Sequence, residues 1–578
     1  MDRRNAGFKR WQVYALLASG FRFERPDVDR ELAVVAWTST IGRNPVDAFE
    51  GVQTWNRLSC GLQAFDVVAW DPNRIWRSTR KQNKAKRMRS AKLLHSRRVA
   101  LAGFMVLALS FLGCEARTNS GERKDSASAA PTPAYPLRLS ANRRYLLGQN
   151  EIPFLIVADS PQGLMARLTE EEADQYFANR QSHGFNALGW IDVLCAGRDF
   201  PDNTDATTVD GIRPFLGYLP GGTDYAHYDL SKPNDAYFAR LDHIVALAAK
   251  HGLFAFLAPA ETNGWIPPLR NNGLGAAYAY GQYLGNRYKR FSNIAWLSGN
   301  DFMTWNDPKD DALVQAVAKG IQSADPDHLQ TVELNYETSS SFDDPTWVPL
   351  ISLNGTYTYS PTYLQMLHSY NQTPVAPVYL VEAHYDQENV GHPPDYGTPP
   401  TLRREEYWTM LSGGTGVFYG NFYTWSFSPG WKYYIDTAGV EQLAIWKKFF
   451  SSLPWYGLIP DQDHSTVTAG LGTYGTFKTP VSKSDFCTAA KTADGSFVVA
   501  YLPTARPITV NMAALKAPAK AKWFDPANGT YTPIGAELFA NSGTRQFTPP
   551  QHNHDGDTDW VLLLDASGSP ASSNIISQ

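Results

Sequence analysis

Cysteine is scarce: the 578 residues contain four, at positions 60, 114, 195 and 487. Their spacing matches neither a zinc site nor a disulfide framework, so Cys195 and Cys487 are expected as buried thiols, with a bridge between domains as the alternative. Charge is modest at 19%, and the net −4 is unevenly spread. Residues 1–113 hold about 20 Lys and Arg against about 9 Asp and Glu, which leaves the remainder acidic and disfavours nucleic acid as a partner. No apolar run reaches the roughly 20 residues of a comfortable membrane span. There is no His-Glu-x-x-His, and no glycine-rich phosphate loop after the first apolar run. No metal and no cofactor is expected. What the chain does have is a composition 43% hydrophobic and 13% aromatic, with 17 Trp, 29 Tyr and 29 Phe. That is enough to bury a large core, and its flat ring faces suit the stacking of sugar rings as well as packing.

The basic segment reads as an export leader. Arg89, Lys92, Arg97 and Arg98 precede the apolar run 99–112, and Gly113 precedes Cys114. The order Phe111-Leu112-Gly113-Cys114 resembles a bacterial lipoprotein box, which makes Cys114 a lipidation candidate and the only expected route to a membrane; plain secretion is the alternative. A signal peptide starting at Met88 implies that residues 1–87, with mixed charge and no sustained period, are upstream sequence read in error, or else a small cytoplasmic extension. Residues 115–137, rich in Ser, Ala, Thr and Pro, read as a flexible tether, and 568–578 as a disordered tail. The expected location is outside the bacterial cytoplasm: secreted, periplasmic or on the outer surface.

After a short hairpin at 137–152, apolar runs alternate with amphipathic helices. The runs are 154–158, 185–188, 253–257, 294–297, 329–334, 348–353, 378–381 and 415–419. Thr169 with Glu172 forms a capping box for a helix that stops at His183-Gly184. Phe238, Leu241, Val245 and Ala248 share one face of another, between Pro233 and Gly252. Eight runs with helical intervals predict a (β/α)8 barrel over residues 138–455, in preference to a doubly wound sheet. From 456 to 567 short alternating segments predict an antiparallel β-sandwich. Within it Asp555-Gly556-Asp557, after His552 and His554, reads as a solvated turn rather than a metal loop.

Barrel enzymes carry their chemistry at the carboxyl ends of the strands. The polar residues there are Asp159, Trp190 with Asp192, Glu261 with Trp265, Asn300 and Asp301, Asn335 with Tyr336, Tyr357, Glu382 with His384 and Tyr385, and Asn421 with Trp425. Carboxylates, amides and aromatics together suit a carbohydrate, whose hydroxyls need hydrogen bonds and whose ring faces need flat apolar partners. Asp301 after the fourth strand and Glu382 after the seventh stand across the barrel mouth from one another. Cleaving a glycosidic bond needs such a pair, one acid to protonate the leaving oxygen and one carboxylate to attack or to activate water.

Ala158-Asp159-Ser160, Leu168 to Ala173, Gly184-Phe185-Asn186, Trp296 to Asp301, Glu382 to Tyr385, Gly413 to Gly416, Tyr419-Gly420 and Trp425 together resemble the apiosidase-like catalytic domain, glycoside hydrolase family 140. Asp494-Gly495-Ser496, Tyr501-Leu502-Pro503, Trp523 to Pro526 and Asp559 to Leu562 resemble the collagen-binding-type domain that accompanies it. The resemblance implies Asp301 as acid/base and Glu382 as nucleophile; with the leader, this predicts an exported enzyme acting on plant or microbial polysaccharide or oligosaccharide, with retention of configuration expected and inversion the alternative if the two carboxyl groups stand farther apart. Asp159, Trp190, Glu261, Asn300, Asn335, Tyr385 and Trp425 are the expected sugar contacts. Where the family commonly has Gly-Asp-Thr-Ala-Trp after strand one, this chain ends in Gln162, so one aromatic wall of the pocket is expected to be missing. Asn300 stands where the family usually has Gly, and resembles the Asn of the larger barrel clan that bonds a sugar 2-hydroxyl. A non-catalytic surface protein binding glycan or matrix through its sandwich is the reading from another class.

Overall fold

A computed structural model describes residues 133–568 apart from 196–199, 201, 204, 260, 336–337 and 391–396. The leader, Cys114, most of the tether and the tail lie outside the described residues, as does Tyr336. The described residues belong to one compact unit, Asp125–Gln578.

Eight parallel strands form the first layer: β1 (Ile156–Asp159), β2 (Ala187–Asp192), β3 (Phe254–Ala258), β4 (Ile294–Ser298), β5 (Gln330–Val332), β6 (Asn354–Thr358), β7 (Val378–Glu382) and β8 (Gly414–Tyr419). They are buried along nearly their whole length, as strands must be when helices cover one face and a packed interior fills the other. β8 pairs with β1 through Gly416↔Ile156 to Tyr419↔Asp159, which curls the sheet into the expected barrel. Among the described residues, one seam lacks a regular ladder. Between β5 and β6 the link is Ser352 N–H to the Gln330 carbonyl at 2.8 Å, and the antiparallel strand Thr338–Ser340 pairs with β6 instead.

The expected sixth strand at 348–353 is corrected. Residues 345–350 form turns, and their apolar side chains, Leu350 among them, pack into the core that covers β5. The strand is the polar Asn-Gly-Thr-Tyr-Thr that follows. It tolerates burial because its side chains are partnered: Asn354 Nδ2 donates to Gln372 Oε1 at 2.7 Å, and Thr356 Oγ1 to Ser369 Oγ at 2.7 Å.

The helices follow their sequence signals. Helix α1 (Glu170–Ser182) opens with the Thr169/Glu172 capping box and ends before Gly184, whose φ of +85° a side chain would disfavour. Helix α2 (Asp235–Lys250) is capped by Asn234. After β3 comes α3 (Thr262–Tyr288), interrupted at Gly273, and after β4 comes α4 (Pro308–Ala324). Helices α5 (Thr362–Asn371), α6 (Pro399–Leu411) and α7 (Ala438–Ser451) follow β6, β7 and β8.

The C-terminal part has a six-stranded and a three-stranded antiparallel sheet. Alternate residues of the larger sheet face opposite ways. Val498, Ala500, Leu562 and Leu564 meet Val467, Ile508 and Phe547 of the smaller sheet. On the other face Val499, Tyr501, Phe524 and Val561 pack against Tyr407, Trp408, Trp446 and Phe449 of α6 and α7. Arg403 of α6, 1% exposed, pairs with Asp559 at 2.9 Å and Asp557 at 2.7 Å across that junction. The Asp555–Asp557 turn is exposed at Asp555 and Gly556, as expected of a solvated turn, while Asp557 reaches Arg403. Cys195 and Cys487 are buried thiols in separate clusters, with no bridge between them.

Candidate active site

Strand ends and loops enclose a pocket of about 210 Å³. Gln162 comes from the loop after β1, Asn300 and Asp301 from the turn after β4, and Tyr359 from just beyond β6. β7 and its loop supply Glu382, Tyr385 and Glu388, and the loop after β8 supplies Phe422 and Trp425. A larger cavity of about 730 Å³ lies between α5 and the sandwich. It has no pair of facing carboxylates and lies away from the strand ends, so the smaller pocket is where the chemistry is sought.

The turn after β4 is strained. Gly299, Asn300 and Asp301 all have positive φ, at 100°, 79° and 43°, a conformation costing about 1–3 kcal/mol for each residue with a side chain. Its neighbours over-determine it. Thr262 donates from Oγ1 to the Asn300 carbonyl at 2.6 Å, Asp301 N–H to Glu333 Oε1 at 2.8 Å, and Phe302 N–H to the Leu334 carbonyl at 2.6 Å. Only glycine fits at 299, since a Cβ there would lie 1.9 Å from the Glu333 carbonyl oxygen.

Glu382 ends β7 with the Tyr385 hydroxyl donating to its Oε2 at 3.0 Å. Burial, then the charges of Glu333 and Asp301, push its carboxyl well above the usual range, while hydrogen bonds from Tyr385 and Tyr357 pull it back in part. Glu333, just past β5, is raised in the same way by burial and then by Asp301, with Asp192 adding to the effect. Carboxyl groups that share a low-dielectric site oppose one another's ionisation, so Glu382 and Glu333 hold their protons above the usual carboxylate range. Glu388 accepts from Tyr385 N–H at 2.9 Å and is raised by burial.

Two aromatics shape the rim. Phe422 is 44% exposed, and Trp425 leans on Phe200 with ring centres 5.6 Å apart. Tyr359 forms an inner wall, edge-on to His384 at 4.8 Å, and His384 is held by Glu405 at 2.6 Å. Gln162 joins the two sides of the pocket. Asn300 Nδ2 donates to Gln162 Oε1 at 3.3 Å, and Gln162 Nε2 donates to the Tyr385 hydroxyl oxygen at 2.9 Å.

Asp301, Glu382, Asn300, Tyr385 and Trp425 thus share one pocket. The other expected sugar contacts, Asp159, Trp190, Glu261 and Asn335, are not among the described residues that line it. Asp159 is fully buried and bonded to Arg180 and Tyr176. Trp190 lies inside the barrel core. Glu261 accepts from Gly264 N–H at 2.8 Å, capping the first turn of α3. Asn335 accepts from Ser339 through its main-chain carbonyl at 2.8 Å. Sequence reasoning missed Glu333, Gln162, Tyr359, Glu388 and Phe422 as site residues. A carboxylate inside the apolar run 329–334 was a usable signal for Glu333; Phe422 and Glu388 sit in loops with no periodicity to mark them.

Residues 140–457 match the family model described as "Apiosidase-like, catalytic domain", and residues 477–565 match "Putative collagen-binding domain of a collagenase". No curated protein matches by sequence. Among solved structures, a chain titled "Glycoside hydrolase" is similar at TM-score 0.63 and 21% identity, covering 76% of this chain and 98% of that one. A structure titled as a family 5 glycoside hydrolase from Bacteroides vulgatus ATCC 8482 is similar at TM-score 0.63 and 20% identity, covering 75% and 94%. At these identities the likeness speaks for the fold.

Proposed function

Since the chain belongs to the apiosidase-like family of glycoside hydrolases, we propose that it cleaves glycosidic bonds in plant or microbial polysaccharide with Asp301 as general acid/base and Glu382 as nucleophile. The observation that carries the reading is that both carboxyl groups line one pocket and act electrostatically on each other.

In the first step the Asp301 carboxyl gives its proton to the leaving oxygen as the Glu382 carboxylate attacks the anomeric carbon. The glycosidic bond breaks and a glycosyl ester of Glu382 forms. In the second step water attacks that carbon, passes a proton to Asp301 and releases Glu382. Retention through this route calls for carboxyl groups roughly 5–5.5 Å apart, whereas an inverting enzyme holds them roughly 6.5–9.5 Å apart. Glu333 holds the main chain of Asp301 by accepting its N–H. Asn300 is assigned to a sugar hydroxyl, and Phe422 and Trp425 to the faces of the sugar ring. A pocket of about 210 Å³ is smaller than the roughly 300–1,000 Å³ of drug-sized sites, which favours one terminal sugar over a polymer lying through the site.

The leader and Cys114 support export, with lipid attachment at Cys114. The test of function is sugar release by wild type and Glu382→Gln from pectic, arabinan, galactan and bacterial cell-wall polysaccharides. Release by wild type alone supports the assignment; near-native release by Glu382→Gln on a verified substrate refutes it.

A further inference from the structure

Gln162 is 5% exposed, and a buried primary amide is costly unless both its ends are bonded. Both are, and the partners belong to the two sides of the reaction: Asn300, beside Asp301, and Tyr385, beside Glu382. The direction of the chain of bonds follows from the one member that cannot donate. An ionised Glu382 only accepts, so the Tyr385 proton points to it. The Tyr385 oxygen must then accept, which turns the Gln162 NH₂ toward it and leaves Gln162 Oε1 to accept from Asn300. The loop that carries Gln162 is itself fixed, since Gly163 N–H donates to the Trp425 carbonyl at 2.7 Å.

We propose that Gln162 is a positioning residue that holds the Tyr385 hydroxyl proton on Glu382 and ties it to the strained turn bearing Asp301. The proposal rests on the reading of Glu382 as nucleophile. A donor that is itself accepting is a stronger donor, because chained hydrogen bonds polarise one another. Gln162 thereby favours the ionised, attacking form of Glu382 without touching it. The groups around Glu382 that oppose or share this effect are Glu333 after β5, Asp301 after β4, Tyr357 and Tyr359 at the end of β6, and Glu388 in the loop after β7.

The test reads a pH midpoint in two ways on the full chain. One is the acid limb of kcat/KM on a polysaccharide that wild type cleaves. The other needs no substrate: an infrared titration of the protonated carboxyl band that disappears in Glu382→Gln. Tyr385→Phe removes a hydrogen bond to a charged group and is expected to raise the midpoint by about 1–2 pH units. Gln162→Met, which keeps the side-chain volume, is expected to raise it by roughly 0.5 unit, and by nothing further in the Tyr385→Phe background. Gln162→Ser carries the same expectation and serves if the Met variant does not fold. A shift from Gln162→Met that persists in the Tyr385→Phe background overturns the proposal, as does a fall in kcat with no shift in either readout. Infrared shifts as expected with no sugar released by wild type would count against the hydrolase assignment of Glu382 while the hydrogen-bond relay stands.

Discussion

Gly299→Ala tests whether the strained turn sets the position of the acid. An added Cβ would sit 1.9 Å from the Glu333 carbonyl oxygen, against a floor of 3.0 Å that real Cβ atoms essentially never cross. The obstacle is backbone, and Glu333 N–H is itself donated to the Ser298 carbonyl at 2.9 Å, so the strand end cannot simply swing aside. The turn must therefore move by about 1 Å, and a misplacement of about that size costs roughly 100-fold in rate. The φ of +100° at this position adds about 1–3 kcal/mol of strain once a side chain is present. The expected outcome is a fall of about 100-fold in kcat/KM on a verified substrate, with a lowered melting temperature and an otherwise native circular dichroism spectrum. Asp301→Asn, measured alongside, supplies the floor. Activity within a factor of about 3 of wild type in a folded Gly299→Ala protein would refute the argument that the turn is rigidly placed.

Glu382→Gln has a pH signature in stability as well as in activity. The folded-state pKa of Glu382 is raised above its ordinary 4.5, so its contribution to stability is present below that value and is lost as pH rises through the folded value. An amide cannot ionise, so the melting temperature of the variant relative to wild type should climb as pH rises above 4.5; a difference constant with pH would contradict the burial argument. Arg403→Leu should cost about 3 kcal/mol in chemical denaturation, the low end for a broken buried pair, because Asp559 keeps donors from Tyr501 and Asn553. Arg403→Leu combined with Asp559→Asn should recover part of the loss, and a single mutant within about 0.5 kcal/mol of wild type would show that the pair does not secure the junction. Deleting 456–578 uncovers Tyr407, Trp408, Trp446 and Phe449 and should leave an insoluble barrel; a soluble, monodisperse barrel would instead mark the sandwich as an independent module.

Legibility in the sequence followed the range of the interactions concerned. The capping box at Thr169 and the apolar face of α2 are written within a few residues of themselves, and the runs that became β3, β4 and β7 announce burial by hydrophobicity alone. Strand β6 hides because its side chains are polar and are satisfied by Ser369 and Gln372, which lie in and just beyond α5. The same holds in the site. Asp301 and Glu382 could be named because one stands in the turn just after a recognisable strand, the other ends one, and together they fit a family pattern. Asp159 and Glu261 meet the same positional rule, yet an arginine 21 residues on claims the first, and the second caps the helix that starts beside it.

By itself the sequence determined the alternation of strands and helices, the change to an antiparallel domain and the two carboxyls, since periodicity, capping and strand ends are properties of local chain. Only the tertiary structure decided which strand-end groups face the pocket, that Glu333 belongs to the carboxyl cluster, and that Gln162 bridges its two sides. Those relations join residues up to 223 positions apart, and they depend on how closing the barrel aims each side chain, which no short stretch of sequence encodes.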